Sequence, residues 1–135
     1  MALINWSEKL STQIQSVDEQ HKKLIALINE LHDAMRAGQG KEVLGRTLNE
    51  LVDYTVYHFK YEEDIMKRTG YSDGINHINE HKNLTNTAIE LRDKYNQGIY
   101  SITIDTMNFL KDWLNNHIQQ TDKKYTAHFI AKGIR

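Results

Sequence analysis

The chain has 135 residues, no proline, no cysteine and a formal net charge of −1 at pH 7. This length suits one domain with one hydrophobic core, so we expect a single domain over residues 1–135. The lack of cysteine excludes disulfides and thiolate metal sites, and the balanced charge makes nucleic acid a poor candidate partner. No apolar run approaches the roughly 18 residues of a membrane span, and Met1–Trp6 is too short for a signal peptide, so we expect no membrane partner and a cytoplasmic location.

The N-terminal segment, residues 1–17, shows no periodicity and is predicted to be an extended arm, attached to the body by Ile4, Trp6 and Leu10. Asp18 is predicted to be the N-cap of the first helix, because its carboxylate can accept hydrogen bonds from the unpaired N–H groups of the first turn. Apolar residues then recur at helical spacing over residues 24–35. The run Gly38-Gln39-Gly40 is expected to end this helix.

Two further helices follow along the chain. Apolar residues recur at helical spacing over residues 43–59, and this second helix is predicted to end near Thr69-Gly70. Residues 71–74, Tyr-Ser-Asp-Gly, have the composition of a turn. A third periodic run covers residues 78–95 and is predicted to end at residues 96–98, Asn-Gln-Gly.

The fourth helix is predicted to be capped by Ser101 or Thr103, and its apolar residues extend from Met107 to Leu114. The tail, residues 123–135, is less periodic. Four amphipathic helices joined by short loops pack as antiparallel neighbours. The sequence therefore predicts an all-α fold, an antiparallel up-down-up-down four-helix bundle over about residues 18–122.

Seven histidines occur in the chain. A single histidine on an apolar helix face is more often a core residue than a metal ligand, and we interpret His32 and His128 in this way. The others continue the apolar stripes toward the bundle interior: His21, His58, His77, His81 and His117. His77 and His81 are four residues apart, as are His58 and Glu62, so the members of each pair project from the same helix face.

Coordination to a metal would explain why these polar side chains share the inner faces. Five imidazoles and Glu62 buried without partners would be very costly, and a bound cation removes that cost. The donors exceed the four ligands of a structural zinc ion, and Ca²⁺ and Mg²⁺ prefer oxygen, so Fe, Mn or Co fit best. A ferritin-like di-iron bundle is the alternative, but its Glu-x-x-His motif is absent, as is the His-Glu-x-x-His of zinc proteases.

Four motifs resemble those of the hemerythrins, especially the bacterial ones, and occur in the order of the helices: Val17–Lys22, His58–Glu63, Gly70-Tyr71 followed by His77-x-x-x-His81, and Trp113–Ile118 followed by Asp122. The resemblance extends from Trp6 to about Tyr125. It implies a non-haem centre with two Fe ions, one of them held by His77, His81 and His117. His21 and His58 would hold the second iron and leave it with an open position. Glu62 and Asp122 would bridge the irons together with an oxo or hydroxo group.

The resemblance also implies that O₂ binds reversibly at the open iron, beside a wall of apolar side chains: Leu24, Phe59, Trp113, Leu114 and Ile118. Such a stripe would pack the core of any helix bundle, and both interpretations can hold together. A dry wall hinders the entry of water, which favours reversible binding over oxidation.

We therefore expect carriage, storage or delivery of O₂ rather than catalysis, by a monomer whose partner would be a protein that consumes O₂. One alternative is an O₂ or redox sensor, which usually has an attached domain. Another is a di-iron oxidase or an NO-handling enzyme, which would benefit from a titratable group beside the open iron. The resemblance places no such group there apart from the ligands, and the orientations of Tyr61 and Tyr125 are left open.

The spacing of the last two ligands conflicts with a regular helix. Asp122 follows His117 by five residues, which turns it about 140° away on an ideal α-helix. Both side chains can reach one centre only if the backbone changes its pitch between them. We therefore predict a π-like turn or a break within Ile118–Thr121.

Overall fold

The computed structural model describes residues 3–38, 40–98 and 102–135. Four helices form the bundle: α1 (Gln15–Arg36), α2 (Lys41–Thr69), α3 (Gly74–Asn96) and α4 (Ile104–Asn116). The chain continues beyond α4 through a π segment, a 3₁₀ turn and a short helix: His117–Thr121, Asp122–Tyr125 and α5 (Thr126–Ala131). The described residues contain no strand, and the predicted all-α four-helix bundle is confirmed.

The helix ends follow the predicted signals. Gly70 closes α2 with φ 69° and ψ 41°, the left-handed conformation that glycine adopts without steric cost. Thr103 caps α4 by accepting a hydrogen bond from the N–H of Thr106 at 3.2 Å, whereas Ser101 lies outside the described residues. Gln39, in the predicted stop of the first helix, also lies outside them.

The predicted N-cap at Asp18 is wrong. α1 begins at Gln15, so Asp18 lies inside the first turn of the helix. Its carboxylate instead accepts hydrogen bonds from the arm: from the backbone N–H of Thr12 at 2.7 Å, the hydroxyl of Thr12 at 2.8 Å and the hydroxyl of Ser11 at 2.6 Å. These donors hold the arm against the helix, so the carboxylate binds the preceding segment and the helix starts one turn earlier than predicted.

The N-terminal arm is attached by the residues predicted for it. Ile4 and Leu10 are buried in the main core, and Trp6 packs against that core. Asn29 on α1 also holds the backbone of Ile4 through two hydrogen bonds of 2.9 Å. The arm is not wholly extended, because Glu8–Leu10 forms a 3₁₀ turn.

Two apolar clusters make up the interior. The main cluster fills most of the bundle and includes Leu24 on α1 and Leu114 on α4. A smaller cluster near the C-terminal helix includes Val17 on α1 and Ile65 on α2. On α1, His21 falls between Val17 of the smaller cluster and Leu24 of the main one, and on α2 His58 and Glu62 fall between Val52 and Ile65 in the same way. The bundle therefore encloses a polar layer between two dry cores. None of the helices in the described ranges is both long enough and apolar enough to cross a membrane.

Candidate metal centre

The polar layer contains all seven side chains that the sequence analysis assigned to the metal. None of them is more than 3% exposed. Three helices and the chain that follows α4 contribute to the layer: His21 comes from α1, His58 and Glu62 from α2, His77 and His81 from α3, and His117 and Asp122 from the chain beyond α4.

These side chains form two groups, and within each group the donor atoms lie within 4.8 Å of one another. The first group, here the three-histidine position, contains Glu62, His77, His81, His117 and Asp122. The second, the two-histidine position, contains His21, His58, Glu62 and Asp122. Both carboxylates are shared, so they lie between the two positions. Among the described residues, His32 and His128 belong to neither group, and the imidazole of His128 instead lies 3.0 Å from the hydroxyl of Thr69.

The π segment brings His117 and Asp122 to the same centre. The backbone N–H of Asp122 donates to the carbonyl of His117, five residues earlier, which is the hydrogen bond that defines a π-helix. This wider turn compensates for the five-residue spacing. Asp122 Oδ1 consequently lies 3.1 Å from His117 Nε2, and Asp122 is fully buried. The predicted π-like turn is confirmed.

Hydrogen bonds at the outer nitrogens fix the tautomers of three histidines. Nδ1 of His58 lies 2.6 Å from the amide oxygen of Gln20, Nδ1 of His81 lies 2.9 Å from Glu63, and Nδ1 of His117 lies 2.8 Å from Glu80. Each partner is an acceptor, so each Nδ1 carries a proton and, in a neutral ring, Nε2 presents a lone pair. In the neutral form that binds a metal, all three rings therefore direct a lone pair into the polar layer.

The inward-facing donor atoms have mainly one another as polar neighbours: Nε2 of His21 and Nε2 of His77 each lie 3.0 Å from an oxygen of Asp122, and Nε2 of His58 lies 3.2 Å from Oε1 of Glu62. Nε2 of His81 and Nε2 of His117 are only 3.1 Å apart, so both can contact the same ion. Within the described residues, Nε2 of His21, His58 and His77 is buried without a hydrogen bond, as are Oε1 of Glu62 and both carboxylate oxygens of Asp122. A buried polar atom left without a hydrogen bond lowers the stability of the fold by about 1–3 kcal/mol. A cation satisfies all of these atoms at once, so the residues present fit a metal centre.

Electrostatics also favour a cation in the layer. Burial raises the pKa of Glu62, as does Asp122, yet His58 and His21 outweigh both and lower this pKa to about 2. Burial lowers the pKa of His117, but Asp122, Glu80 and Glu62 together raise it to about 10. Burial raises the pKa of Asp122, but His117, His21 and His77 outweigh it and hold this pKa well below its usual value. Two ionised carboxylates in a dry site thus draw positive charge to their neighbours, and a divalent ion supplies that charge directly.

Tyr125 is a site residue that the sequence analysis did not assign. Its hydroxyl donates a hydrogen bond to Oε2 of Glu62, and its ring stacks on His77 with the centroids 5.5 Å apart. Burial, then Glu62 and Asp122, raise the pKa of Tyr125 well above its usual value, so the hydroxyl stays protonated at neutral pH. Tyr61, whose orientation was also open, is half-buried and packs against the smaller core.

The five residues predicted to form an apolar wall lie beside the polar layer. Leu24, Leu114 and Ile118 are buried in the main core. Phe59 stacks on His81 with the ring centroids 3.8 Å apart and the planes nearly parallel. Trp113 is half-buried and stacks on His117, with the centroids 6.1 Å apart. The ring of Phe59 also lies beside His58, with the centroids 6.0 Å apart, so Phe59 borders both positions and Trp113 borders the three-histidine position. The role of the five residues in O₂ binding stays a prediction.

An apolar cavity of about 30 Å³ lies next to this wall, between α2, α3 and α4. Trp113 borders both the cavity and His117, and Thr55 borders the cavity one turn before Phe59 on α2. A space of this size holds about one small molecule, and its lining offers little to bind water.

The comparisons with known proteins agree with this geometry. The family model for the hemerythrin HHE cation binding domain matches residues 12–129. The chain belongs to the hemerythrin family. Membership of the hemerythrins implies non-haem iron as the metal.

Several relatives are similar to this hemerythrin over most of their length. The bacteriohemerythrin of Methylococcus capsulatus is 39% identical over 126 residues, which are 93% of this chain and 95% of the relative. The hemerythrin-like protein of Naegleria gruberi is 36% identical over 121 residues, which are 90% and 89% of the two chains. A crystal structure of wild-type hemerythrin is 38% identical, covers 93% of this chain and 97% of its own, and superposes with a TM-score of 0.88.

Proposed function

We propose that the chain binds O₂ reversibly at a non-haem di-iron centre in the polar layer, and so carries, stores or delivers O₂. One observation carries the proposal: the inner nitrogens of five buried imidazoles converge on two buried carboxylates that both positions share. Membership of the hemerythrin family supports iron as the metal. When bound, two ferrous ions would supply the electrons and the open coordination position that O₂ binding requires.

The two positions differ in a way that suits this function. The three-histidine position offers five donors and the two-histidine position offers four. We assign one iron to each position, with Glu62 and Asp122 bridging them because both groups contain these carboxylates. The position with fewer donors leaves more room for an added ligand, so His21 and His58 would hold the iron at which O₂ binds.

The residues around the donors would keep the site dry and rigid. Leu24, Phe59, Trp113, Leu114 and Ile118 would form the wall of the O₂ pocket, and the adjacent apolar cavity would offer a small molecule space beside it. Exclusion of water protects a reduced metal from side reactions. Tyr125 would hold Glu62 in place through its hydroxyl.

Binding rather than turnover is also supported by the chemistry of Tyr125. An oxidase or peroxidase needs a group that delivers protons near the operating pH. The hydroxyl of Tyr125 contacts Glu62, but burial and the two carboxylates raise its pKa far above neutrality. Such a group donates a hydrogen bond and holds its proton, which suits a binding protein better than an enzyme.

Oxygenation cycles test the proposal. The purified protein is reduced without O₂, exposed to O₂ and then deoxygenated, while iron content and visible absorption are measured. We expect about two irons per chain, one for each position, and an absorption band that appears with O₂ and disappears on its removal. His58→Ala should abolish the band, and His128→Ala, which changes a histidine outside both positions, should not. Irreversible oxidation in the first cycle would reject reversible binding and favour an enzyme or a redox sensor.

A further inference from the structure

We propose that the two metal positions differ in affinity, such that the three-histidine position fills first and empties last, and that Glu63 and Glu80 are the positioning residues responsible. The inference rests on the proposed metal centre and goes beyond it by ordering the two sites. It follows from the groups that contact the outer nitrogens of the histidines.

Carboxylates support the three-histidine position from outside. Glu63 lies 2.9 Å from Nδ1 of His81 and Glu80 lies 2.8 Å from Nδ1 of His117. A carboxylate behind an imidazole fixes the ring orientation and makes Nε2 a stronger donor to a metal, and removal of such a partner typically costs 10–100-fold in affinity. Two of the three imidazoles at this position therefore have an anionic partner.

The two-histidine position lacks such support. Nδ1 of His58 contacts only the neutral amide oxygen of Gln20, at 2.6 Å. Nδ1 of His21 is buried and makes no hydrogen bond within the described residues. An amide orients the ring of His58 but adds no negative charge, and in the described ranges no hydrogen bond at Nδ1 orients the ring of His21. This position thus has fewer donors, and those donors are weaker.

Glu80 also stabilises the geometry of the chain at the three-histidine position. Its carboxylate accepts hydrogen bonds from Nδ1 of His117 and from the hydroxyl of Thr121, at 2.8 and 2.9 Å. His117 and Thr121 begin and end the π segment, so one side chain of α3 holds both ends of the turn that directs Asp122 inward. The ligands of this position are therefore held in place from two helices, which lowers the entropy lost on binding.

Electrostatic repulsion between the two ions also makes the affinities of the two binding steps differ. Both positions share Glu62 and Asp122. The first divalent ion offsets the charge of both carboxylates, and the second then binds to a centre with less negative charge and a cation nearby. At limiting metal, the chain would hold one ion at the three-histidine position. The proposed O₂-binding position would fill only when metal is in excess, so metal supply would control O₂ binding.

Titration of the metal-free protein with Co²⁺ tests the order. Co²⁺ accepts nitrogen and oxygen donors, and binding is followed by calorimetry and visible absorption without O₂ at one fixed pH. We expect two steps, with the first at least about tenfold tighter, in the range that partners of metal-bound histidines produce. His58→Ala should retain the tight step and lose the weak one, and His81→Ala should lose the tight step. The reverse pattern would overturn the order.

Exchange of the outer partners tests their role. Glu80→Gln and Glu63→Gln keep the side-chain size and should weaken the tight step about 10–100-fold. Gln20→Glu places a carboxylate behind His58 and should strengthen the weak step. Glu30→Gln, an exposed change on α1, is the matched control and should alter neither step. An unchanged melting temperature of metal-free Glu80→Gln would separate a lost metal partner from a damaged fold.

The possible outcomes distinguish this inference from the proposed function. Two ions bound with equal affinity, or steps that none of the three exchanges alters, would reject the inference and leave the di-metal centre intact. Binding of a single ion in the unaltered protein, even with excess Co²⁺, would refute the two-ion centre and the ordering together. A tight first step that weakens in Glu80→Gln, with a second step that strengthens in Gln20→Glu, would support both.

Discussion

The hydrogen bond from Tyr125 to Glu62 allows a quantitative test of the polar layer. Tyr125→Phe removes one hydroxyl and leaves the ring, its stacking on His77 and its packing unchanged. The acceptor is an ionised carboxylate in a fully buried site, because the pKa of Glu62 is lowered to about 2. A hydrogen bond to a charged group is worth about 1.5–3 kcal/mol, so we expect a loss of about 2 kcal/mol in the unfolding free energy of the metal-free protein.

Tyr95→Phe is the matched control. Tyr95 is also buried, and its hydroxyl donates to the backbone carbonyl of Lys41 at 2.9 Å, an uncharged acceptor. Loss of this hydrogen bond should lower the unfolding free energy by about 1 kcal/mol. Urea denaturation should therefore show a larger loss of unfolding free energy for Tyr125→Phe than for Tyr95→Phe. In calorimetry, a loss of about 2 kcal/mol in a domain of this size should lower the melting temperature of Tyr125→Phe by about 6–10 °C. Equal losses in the two variants would refute a charged, desolvated Glu62.

Three other changes probe the shared ligand, the arm and the end of α2. Asp122→Asn removes the charge of a carboxylate common to both positions and should reduce iron to below one ion per chain, measured by metal analysis; full occupancy would disprove its bridging role. Asp18→Ala removes the hydrogen bonds from Ser11 and Thr12, so it should lower the unfolding free energy by about 2–3 kcal/mol and speed proteolysis of residues 3–14. An unchanged rate of cleavage would contradict the attachment of the arm through Asp18. Gly70→Ala forces a side chain into left-handed backbone at φ 69° and should lower the unfolding free energy by about 1 kcal/mol, whereas a neutral result in denaturation would show that the helix end shifts instead.

Helix periodicity was sufficient to predict the five inner histidines and Glu62. His77 and His81 follow from a four-residue spacing on one apolar stripe, and the structure places them at one centre. Periodicity alone did not predict Asp122, because a regular helix turns this side chain away from His117. The spacing indicated that a distortion was needed, and the π segment supplies it. The choice of Asp122 itself depended on the family resemblance.

The error at Asp18 has a simple physical cause. An aspartate at the start of a periodic run can accept either the free N–H groups of its own helix or donors from the preceding chain. Sequence alone does not give the path of the arm, which brings Ser11 and Thr12 to this carboxylate. Tyr125 was missed for a related reason, because its contact with Glu62 depends on how the chain folds back after the π segment.

The outer partners follow a pattern that becomes visible only in three dimensions. Gln20, Glu63 and Glu80 are each adjacent in sequence to an inner donor, yet each contacts a histidine of the next helix: His58, His81 and His117. A neighbour of an inward-facing residue lies about 100° around its helix, which places it at the seam with the adjoining helix. Whether it meets the next helix or the previous one depends on the handedness of the bundle, and periodicity does not specify that. Once the handedness is known, a polar residue beside an inner donor becomes a predictable partner of a histidine on the next helix. The difference between Gln20 and the two glutamates then becomes a prediction of unequal metal affinity.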